Sequence, residues 1–218
     1  MPKNLGQHPF FRRFAGALAK IYNLFPMARK KIARKSGKCI CVFSSSSDEV
    51  DPVFFEAASR LGELIAQKGY GLVYGGGNAG LMGALARSAH QHGAGVVGII
   101  PKLLHSKVQP LKCPHELIVT PDMRERKTVM ELRSDAFVAL PGGYGTLEEL
   151  MEIITLKQLK YHSKPIVVMN IRGFYDPLLE FFEKLTEGKF AKKRPLYYVT
   201  DDPKKVFPYI ENGSGGKV

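Results

Sequence analysis

Acidic residues are missing from two long stretches of this chain, and each gap narrows what the protein can do. Residues 1–38 hold ten bases (Lys3, Arg12, Arg13, Lys20, Arg29, Lys30, Lys31, Arg34, Lys35 and Lys38) and no Asp or Glu. The rest of the chain carries 22 bases against 20 acids, so the net charge of +12 belongs almost wholly to this N-terminal arm. A basic surface spread over the folded part, of the kind that attracts nucleic acid, is thereby excluded, and no nucleic-acid partner is expected. The second gap runs from Glu63 to Glu116. Within it, Gly75-Gly76-Gly77-Asn78-Ala79-Gly80 formally satisfies G-x-G-x-x-G after a strand. A dinucleotide site also needs an acid about 20 residues further on, to hold the ribose hydroxyls. None is present, which excludes NAD and FAD and leaves a nucleoside monophosphate or a sugar phosphate.

Other features are equally scarce. The three cysteines, Cys39, Cys41 and Cys113, form no C-x-x-C pair and no disulfide framework, which points to a reducing compartment and a cytoplasmic location. Cys39 and Cys41 fall on one face of a strand and read as core. The six histidines do not gather at metal-ligand spacing, so neither a metal nor another cofactor is expected. No apolar run is long enough to span a bilayer. There is no internal repeat and no sign of a second domain, and 218 residues suffice for one α/β domain.

The arm, residues 1–38, has two parts. Phe10, Phe11, Phe14, Leu18, Ile21, Tyr22 and Phe25 recur near helical spacing opposite Arg12, Arg13 and Lys20, and a basic, small-residue run follows from Ala28 to Lys38. Four readings stay open: an amphipathic helix docked on its own domain or on a dimer mate, weak contact with an acidic membrane surface, a transit-like peptide, or nucleic-acid contact. The folded domain is expected over residues 39–211, and residues 212–218 read as a frayed tail.

Within the domain, strands alternate with helices. Strands are predicted at Lys38–Phe43, Tyr70–Tyr74, Gly95–Ile100, Leu117–Thr120, Asp135–Leu140, Pro165–Met169 and Tyr197–Val199. Helices are predicted from Asp51-Pro52 to Lys68, from the second glycine loop to His92, over Pro121–Ser134, Leu147–Leu159 and Tyr175–Gly188, and from Pro203. Residues 101–115 form a long connection. This order gives a single Rossmann-like α/β domain, a mostly parallel sheet with helices on both faces. Ligands in such sheets sit beyond the carboxyl ends of the strands, at the topological switch point.

The stretch with the most chemistry is Leu140-Pro141-Gly142-Gly143-Tyr144-Gly145-Thr146-Leu147-Glu148-Glu149-Leu150. Strand, glycine loop and helix start together present free N–H groups and the positive end of a helix dipole, which is a cradle for phosphate. Two glutamates stand in the first turn just behind it. Thr146-x-x-Glu149 also fits a capping box, which would make Glu149 a helix-starting device, so capping and catalysis both stay open. In Met123-Arg124-Glu125-Arg126-Lys127, Arg126 and Lys127 oppose the local helix dipole, a placement more easily tolerated beside an anion or a carboxylate.

Taken in order, Gly75-Gly76-Gly77…Gly80-Leu81-Met82-Gly83, Met123…Arg126-Lys127 and Pro141-Gly142-Gly143-Tyr144-Gly145-Thr146-Leu147-Glu148-Glu149 resemble the LOG family, the cytokinin riboside 5′-monophosphate phosphoribohydrolases often labelled lysine decarboxylases. The resemblance covers roughly Lys38 to Tyr209. It implies a Rossmann-like homodimer with its site near the subunit interface, hydrolysing a nucleoside 5′-monophosphate, cytokinin or adenosine, to free base and ribose 5-phosphate without a cofactor. By motif it assigns Arg126 and Glu149 to catalysis, and Met123, Lys127, Gly76, Gly77, Gly143, Tyr144, Gly145 and Thr146 to the substrate. The alternative is a non-catalytic protein that binds a nucleotide or a phosphorylated cofactor. Nothing in the chain marks a pyridoxal-phosphate lysine. The chain departs from the family pattern at Ser44-Ser45-Ser46-Ser47, where Cys-Gly-Ser-Ser is usual, so Ser45 is expected to narrow the pocket.

Overall fold

A computed structural model of the chain describes residues 37–106 and 115–212. The N-terminal arm, most of the 101–115 connection, Cys113 and the last six residues of the tail lie outside the described residues, and so do the readings attached to them.

Seven strands form one sheet: β1 (Cys39–Phe43), β2 (Gly71–Tyr74), β3 (Val96–Pro101), β4 (Glu116–Thr120), β5 (Ala136–Ala139), β6 (Ile166–Met169) and β7 (Tyr198–Thr200). Their spatial order is β4-β3-β2-β1-β5-β6-β7, and every neighbouring pair is parallel. Among the described residues, six longer helices connect or follow them: α1 (Pro52–Gln67), α2 (Gly80–Gln91), α3 (Met123–Leu132), α4 (Tyr144–Gln158), α5 (Asp176–Glu187) and α6 (Val206–Asn212). A short helical turn, Lys102–His105, opens the connection after β3.

The inner strands read as unbroken apolar runs because both of their faces are covered. On one face Ile40, Val42, Leu72 and Val138 pack against Ala58, Leu61 and Ile65 of α1, Leu81 and Leu85 of α2, and Phe207 of α6. On the other, Cys41, Val73, Phe137 and Val168 pack against Val129 and Met130 of α3, Leu150 and Ile153 of α4, and the half-buried Leu178 and Phe182 of α5. Cys39 and Cys41 are fully buried core residues, as their spacing predicts.

Two helices, α1 and α3, start at an aspartate cap. The Asp51 carboxylate accepts from Val53 N–H at 3.0 Å, ahead of Pro52 at the first helical position. The Asp122 carboxylate accepts from Arg124 and Glu125 N–H at 2.8 and 2.9 Å. The N-caps of α2 and α5, Ala79 and Tyr175, give no side-chain cap, and neither does Gly143, the N-cap of α4, which begins at Tyr144, three residues before the predicted Leu147. The two glycines at and inside its first turn hid that start.

Beyond α4 the chain returns to β6 through a loop held by His162. Its Nδ1 accepts from Lys164 N–H at 3.2 Å, so its Nε2 carries the proton and donates to the Ile153 carbonyl at 3.0 Å. The ring also leans on Phe137, 5.4 Å between centroids. Burial lowers its pKa to about 4, with Lys164 and Lys157 pushing the same way and the Ile153 bond opposing. The folded-state value lies below the unfolded one near 6.5. Between those two values the unfolded chain binds the extra proton, so the contribution of His162 to stability is lost as pH falls through that window. The midpoint of thermal unfolding is expected to drop between pH 6.5 and pH 4. His162→Gln is expected to start lower at pH 7 and to flatten that drop; an unchanged pH dependence in the variant would show that His162 is not its source.

Candidate active site

The chain leaves β1 towards α1 on one face of the sheet and leaves β5 towards α4 on the other. Since β1 and β5 are neighbours, their carboxyl ends form the switch point, where a crevice opens. The loops on its two sides are joined by Ser45 N–H donating to the Pro141 carbonyl at 3.2 Å. Ser45 does not take a left-handed backbone, and its hydroxyl is occupied within its own loop, accepting from Ser47 N–H at 3.1 Å.

The loop after β5 is fixed before it reaches the crevice. Tyr175, 2% exposed, donates its hydroxyl to the Leu140 carbonyl at 2.7 Å, and burial keeps its phenol protonated far above the ordinary tyrosine range. Tyr175 is itself placed by its N–H, which donates to Asn170 Oδ1 at 2.7 Å. Neither residue carries a sequence motif, so reading the sequence missed both. A β-carbon on Gly142 would strike the side chain of the buried Thr146, whereas one on Gly143 or Gly145 would meet nothing within 4 Å. The open space therefore lies in front of Gly143, Tyr144 and Gly145, where the first turn of α4 presents N–H groups that have no intrahelical acceptor. Tyr144 is 93% exposed at this edge.

The second glycine loop differs from expectation. Gly80 N–H donates to Asp48 Oδ1 at 2.7 Å, and Met82 N–H donates to the Ser45 carbonyl at 3.2 Å. The chain's own carboxylate and carbonyl thus occupy the start of α2, which reading the sequence offered to an anion. Gly76, at φ +81°, is required by its backbone, and Gly77 is buried beside it.

Arg126 and Glu149 are brought together from α3 and α4, 23 residues apart in the chain. Arg126 Nη1 donates to Glu149 Oε1 at 2.6 Å, and Arg126 Nε donates to the Ile99 carbonyl of β3 at 3.0 Å. The two residues are 7% and 8% exposed. Burial raises the Glu149 pKa above the ordinary carboxylate range, while the charge and hydrogen bond of Arg126 hold it down. Beside Glu149 lies a cavity of about 30 Å³, lined also by Lys127, Glu131 and Glu152 with Phe43 and Phe137, room for a water or two. Cys41 lies close enough to feel both charges; burial above all, with Glu149 adding, pushes its thiol well up and keeps it protonated. The capping-box role of Glu149 has no place here, because Glu149 stands in the second turn of α4 with its carboxylate on Arg126.

The neighbouring motif residues divide. Glu148 is exposed and Glu149 buried, as their helical angle of about 100° requires. The Lys127 ammonium contacts Glu148 and lies 3.0 Å from Glu152, so it ties α3 to α4 and is not directed at the glycine loop. Met123, one helical turn before Arg126, is 42% exposed and lines a mainly apolar recess of about 500 Å³ with Pro101, Leu103, Leu104 and Pro121, bordered also by Asp122 and Arg124. Arg124 lies on the exposed side. Among the described residues, no three His, Cys, Asp or Glu side chains are gathered to hold a metal ion, and no helix is long and apolar enough to cross a membrane.

Residues 82–210 match the family model described as "Possible lysine decarboxylase". A protein of Oryza sativa subsp. japonica named "Probable cytokinin riboside 5′-monophosphate phosphoribohydrolase" is 47% identical over 153 residues, 70% of this chain and 69% of the relative. An Arabidopsis thaliana cytokinin riboside 5′-monophosphate phosphoribohydrolase is 39% identical over 183 residues, 83% of this chain and 80% of the relative. Among solved structures, a molybdenum cofactor binding protein from Rippkaea orientalis superposes with a TM-score of 0.63 at 24% identity, over 80% of this chain and 96% of that one. At that identity the likeness is one of fold.

Proposed function

The chain belongs to the cytokinin riboside 5′-monophosphate phosphoribohydrolase family, and on that footing we propose how its crevice performs the family's reaction. It is a hydrolase that cleaves the N-glycosidic bond of a nucleoside 5′-monophosphate, giving free base and ribose 5-phosphate. The observation that carries the assignment to this site is the buried Arg126–Glu149 pair beside the uncapped start of α4 at the switch point.

The 5′-phosphate sits on the N–H groups of Tyr144, Gly145 and Thr146, with Gly143 admitting it to the backbone. The ribose then faces Glu149. Cleavage passes through an oxocarbenium-like state, positive at the sugar. A carboxylate opposite that charge stabilises it and can align the attacking water. Glu149 uses one oxygen on Arg126, which leaves the other for this work. Arg126 opposes the rise that burial imposes on the Glu149 pKa and presents its remaining donor to the substrate; a guanidinium acts here as an electrostatic and orienting group, not as a proton donor. The base lies towards Met123 and its apolar recess, with Gly76 and Gly77 forming the adjoining wall. Lys127 contributes by holding α3 against α4. The family resemblance further supports a homodimer, and the buried thiols of Cys39 and Cys41 suit a reducing, cytoplasmic setting.

Incubation with AMP and with N6-isopentenyl-AMP, followed by chromatography of free base and ribose 5-phosphate, tests the assignment and ranks the two bases. Release of neither base would overturn it. The reaction is expected to require the 5′-phosphate. A nucleoside leaves the N–H groups of α4 without their anion, and loss of one charge-assisted contact set corresponds to at least about 10²-fold in kcat/KM. Comparable kcat/KM for adenosine and AMP would show that the helix start does not hold the phosphate.

A further inference from the structure

Three glycines follow β2, and the backbone explains only one of them. Gly76 sits at φ +81°, in the left-handed region, but Gly75 does not. An alanine could adopt the backbone of Gly75 without strain. Its environment is what forbids a side chain. A β-carbon built there would run into Arg126 Nη2, would lie 2.8 Å from Met82 Sδ and 3.6 Å from Arg126 Cζ, and has no backbone atom among its nearest neighbours.

Arg126 has little freedom to yield. Its Nε is held by the Ile99 carbonyl at 3.0 Å, its Nη1 by Glu149 at 2.6 Å, and the side chain is 9% exposed. Two of its three nitrogens are thus committed inside the protein, and Nη2, which points at Gly75, is the donor that remains for a ligand. Gly75 itself is partly exposed, so the space over it opens to the crevice.

We propose that Gly75 is a positioning residue. The absence of its side chain reserves the volume in which the Arg126 guanidinium stands and keeps Nη2 available to the substrate. This rests on the catalytic reading of Arg126 given above. The obstacles to a methyl group are the ends of two flexible side chains, not the main chain, so the fold survives the substitution while the guanidinium must leave its place. A displacement of about 1 Å at a reacting group lowers rate on the order of 10²-fold.

The test is a double-mutant cycle on the full chain, with AMP as substrate and ribose 5-phosphate as binding probe. Gly75→Ala is expected to fold with a near-native melting temperature, to bind ribose 5-phosphate as the native protein does, and to lose about 10²-fold in kcat. In the Arg126→Ala background, Gly75→Ala is expected to cause no further loss, since the group it displaces is gone. Adding Met82→Ala to Gly75→Ala relieves the sulfur contact and not the guanidinium one, and is expected to leave kcat low. Several results would overturn the inference: near-native kcat in Gly75→Ala, an equal loss from it in both backgrounds, recovery on adding Met82→Ala, or a Gly75→Ala chain that does not fold. Native-like turnover in Arg126→Ala alone would instead remove the catalytic reading of Arg126 on which the inference depends.

Discussion

Glu149→Gln is expected to slow base release by about 10³-fold or more, while the protein stays folded. That factor corresponds to about 4 kcal/mol of transition-state stabilisation. Glutamine matches the shape of glutamate and keeps an oxygen that can accept from Arg126 Nη1, now at 2.6 Å from the carboxylate. What it removes is the negative charge facing the sugar as that sugar becomes cationic. Some stability is lost as well. Breaking a buried ion pair outright costs about 3–5 kcal/mol, because a charge is left unpaired; glutamine, still accepting the bond, is expected to lose a fraction of this. Initial rates of adenine release, normalised to folded protein, separate the two effects. Near-native turnover with a lowered melting temperature would reduce Glu149 to one half of a structural ion pair.

The same logic yields a control on why the pair is buried at all. Two desolvated charges are seldom the most stable way to fill such a volume, and an apolar pair of similar size often matches or exceeds them. Arg126 and Glu149 are among the few charged residues of the described chain with under a tenth of their surface exposed. A fold that keeps them there at the end of its sheet is consistent with selection for the site's chemistry over stability.

Much of this molecule was legible in the sequence. Alternating apolar strands and amphipathic helices gave the parallel sheet, since each apolar run had to be covered on both faces. Strand, glycines and helix start marked the cradle. The limits of that reading are local and physical. The apolar and acidic run starts only at Leu147, but α4 begins at Tyr144, with Gly143 at its N-cap and Gly145 in its first turn, where no apolar side chain marks the start. The start of α2 looked as open to an anion as that of α4. No one-dimensional pattern shows that Asp48, 32 residues earlier, folds back onto Gly80. Lys127 was grouped with the substrate residues by its place in the motif, yet Glu148 and Glu152, on another helix, claim its ammonium. Tyr175 had no pattern to announce it, because its hydroxyl bonds a main-chain carbonyl 35 residues away. The last three cases are pairings across the fold, set by tertiary placement rather than by any spacing along the chain.

Arg126→Ala and Arg124→Ala, two residues apart on α3, are expected to behave oppositely. Arg124 is exposed, and its described bonds are all made by its main chain: its N–H donates to Asp122, and its carbonyl accepts from Thr128 Oγ1. Alanine keeps both, and any effect of losing Arg124 from the border of the Met123 recess falls on base binding and KM, so kcat and stability should stay within about twofold and about 0.5 kcal/mol of native. Arg126 joins Ile99, Glu149 and the space over Gly75 through one planar group. Its removal is expected to lower kcat by about 10²–10³-fold, the range typical of losing one preorganised donor at a site of developing charge. Lysine should rescue poorly, since a single ammonium cannot hold a carbonyl and a carboxylate and still offer a donor in a fixed fork. The pH profile then tells placement from general electrostatics. Burial raises the Glu149 pKa and Arg126 opposes that rise. With Arg126 gone, the pKa climbs further, so more of the carboxylate is protonated at any given acidic pH. The acid limb of the residual kcat should therefore move to higher pH in Arg126→Ala and stay in place in Arg124→Ala. Equal losses in the two variants, or an acid limb that does not move, would mean that the positive charge of α3 acts diffusely and that Arg126 is not the group placed against Glu149.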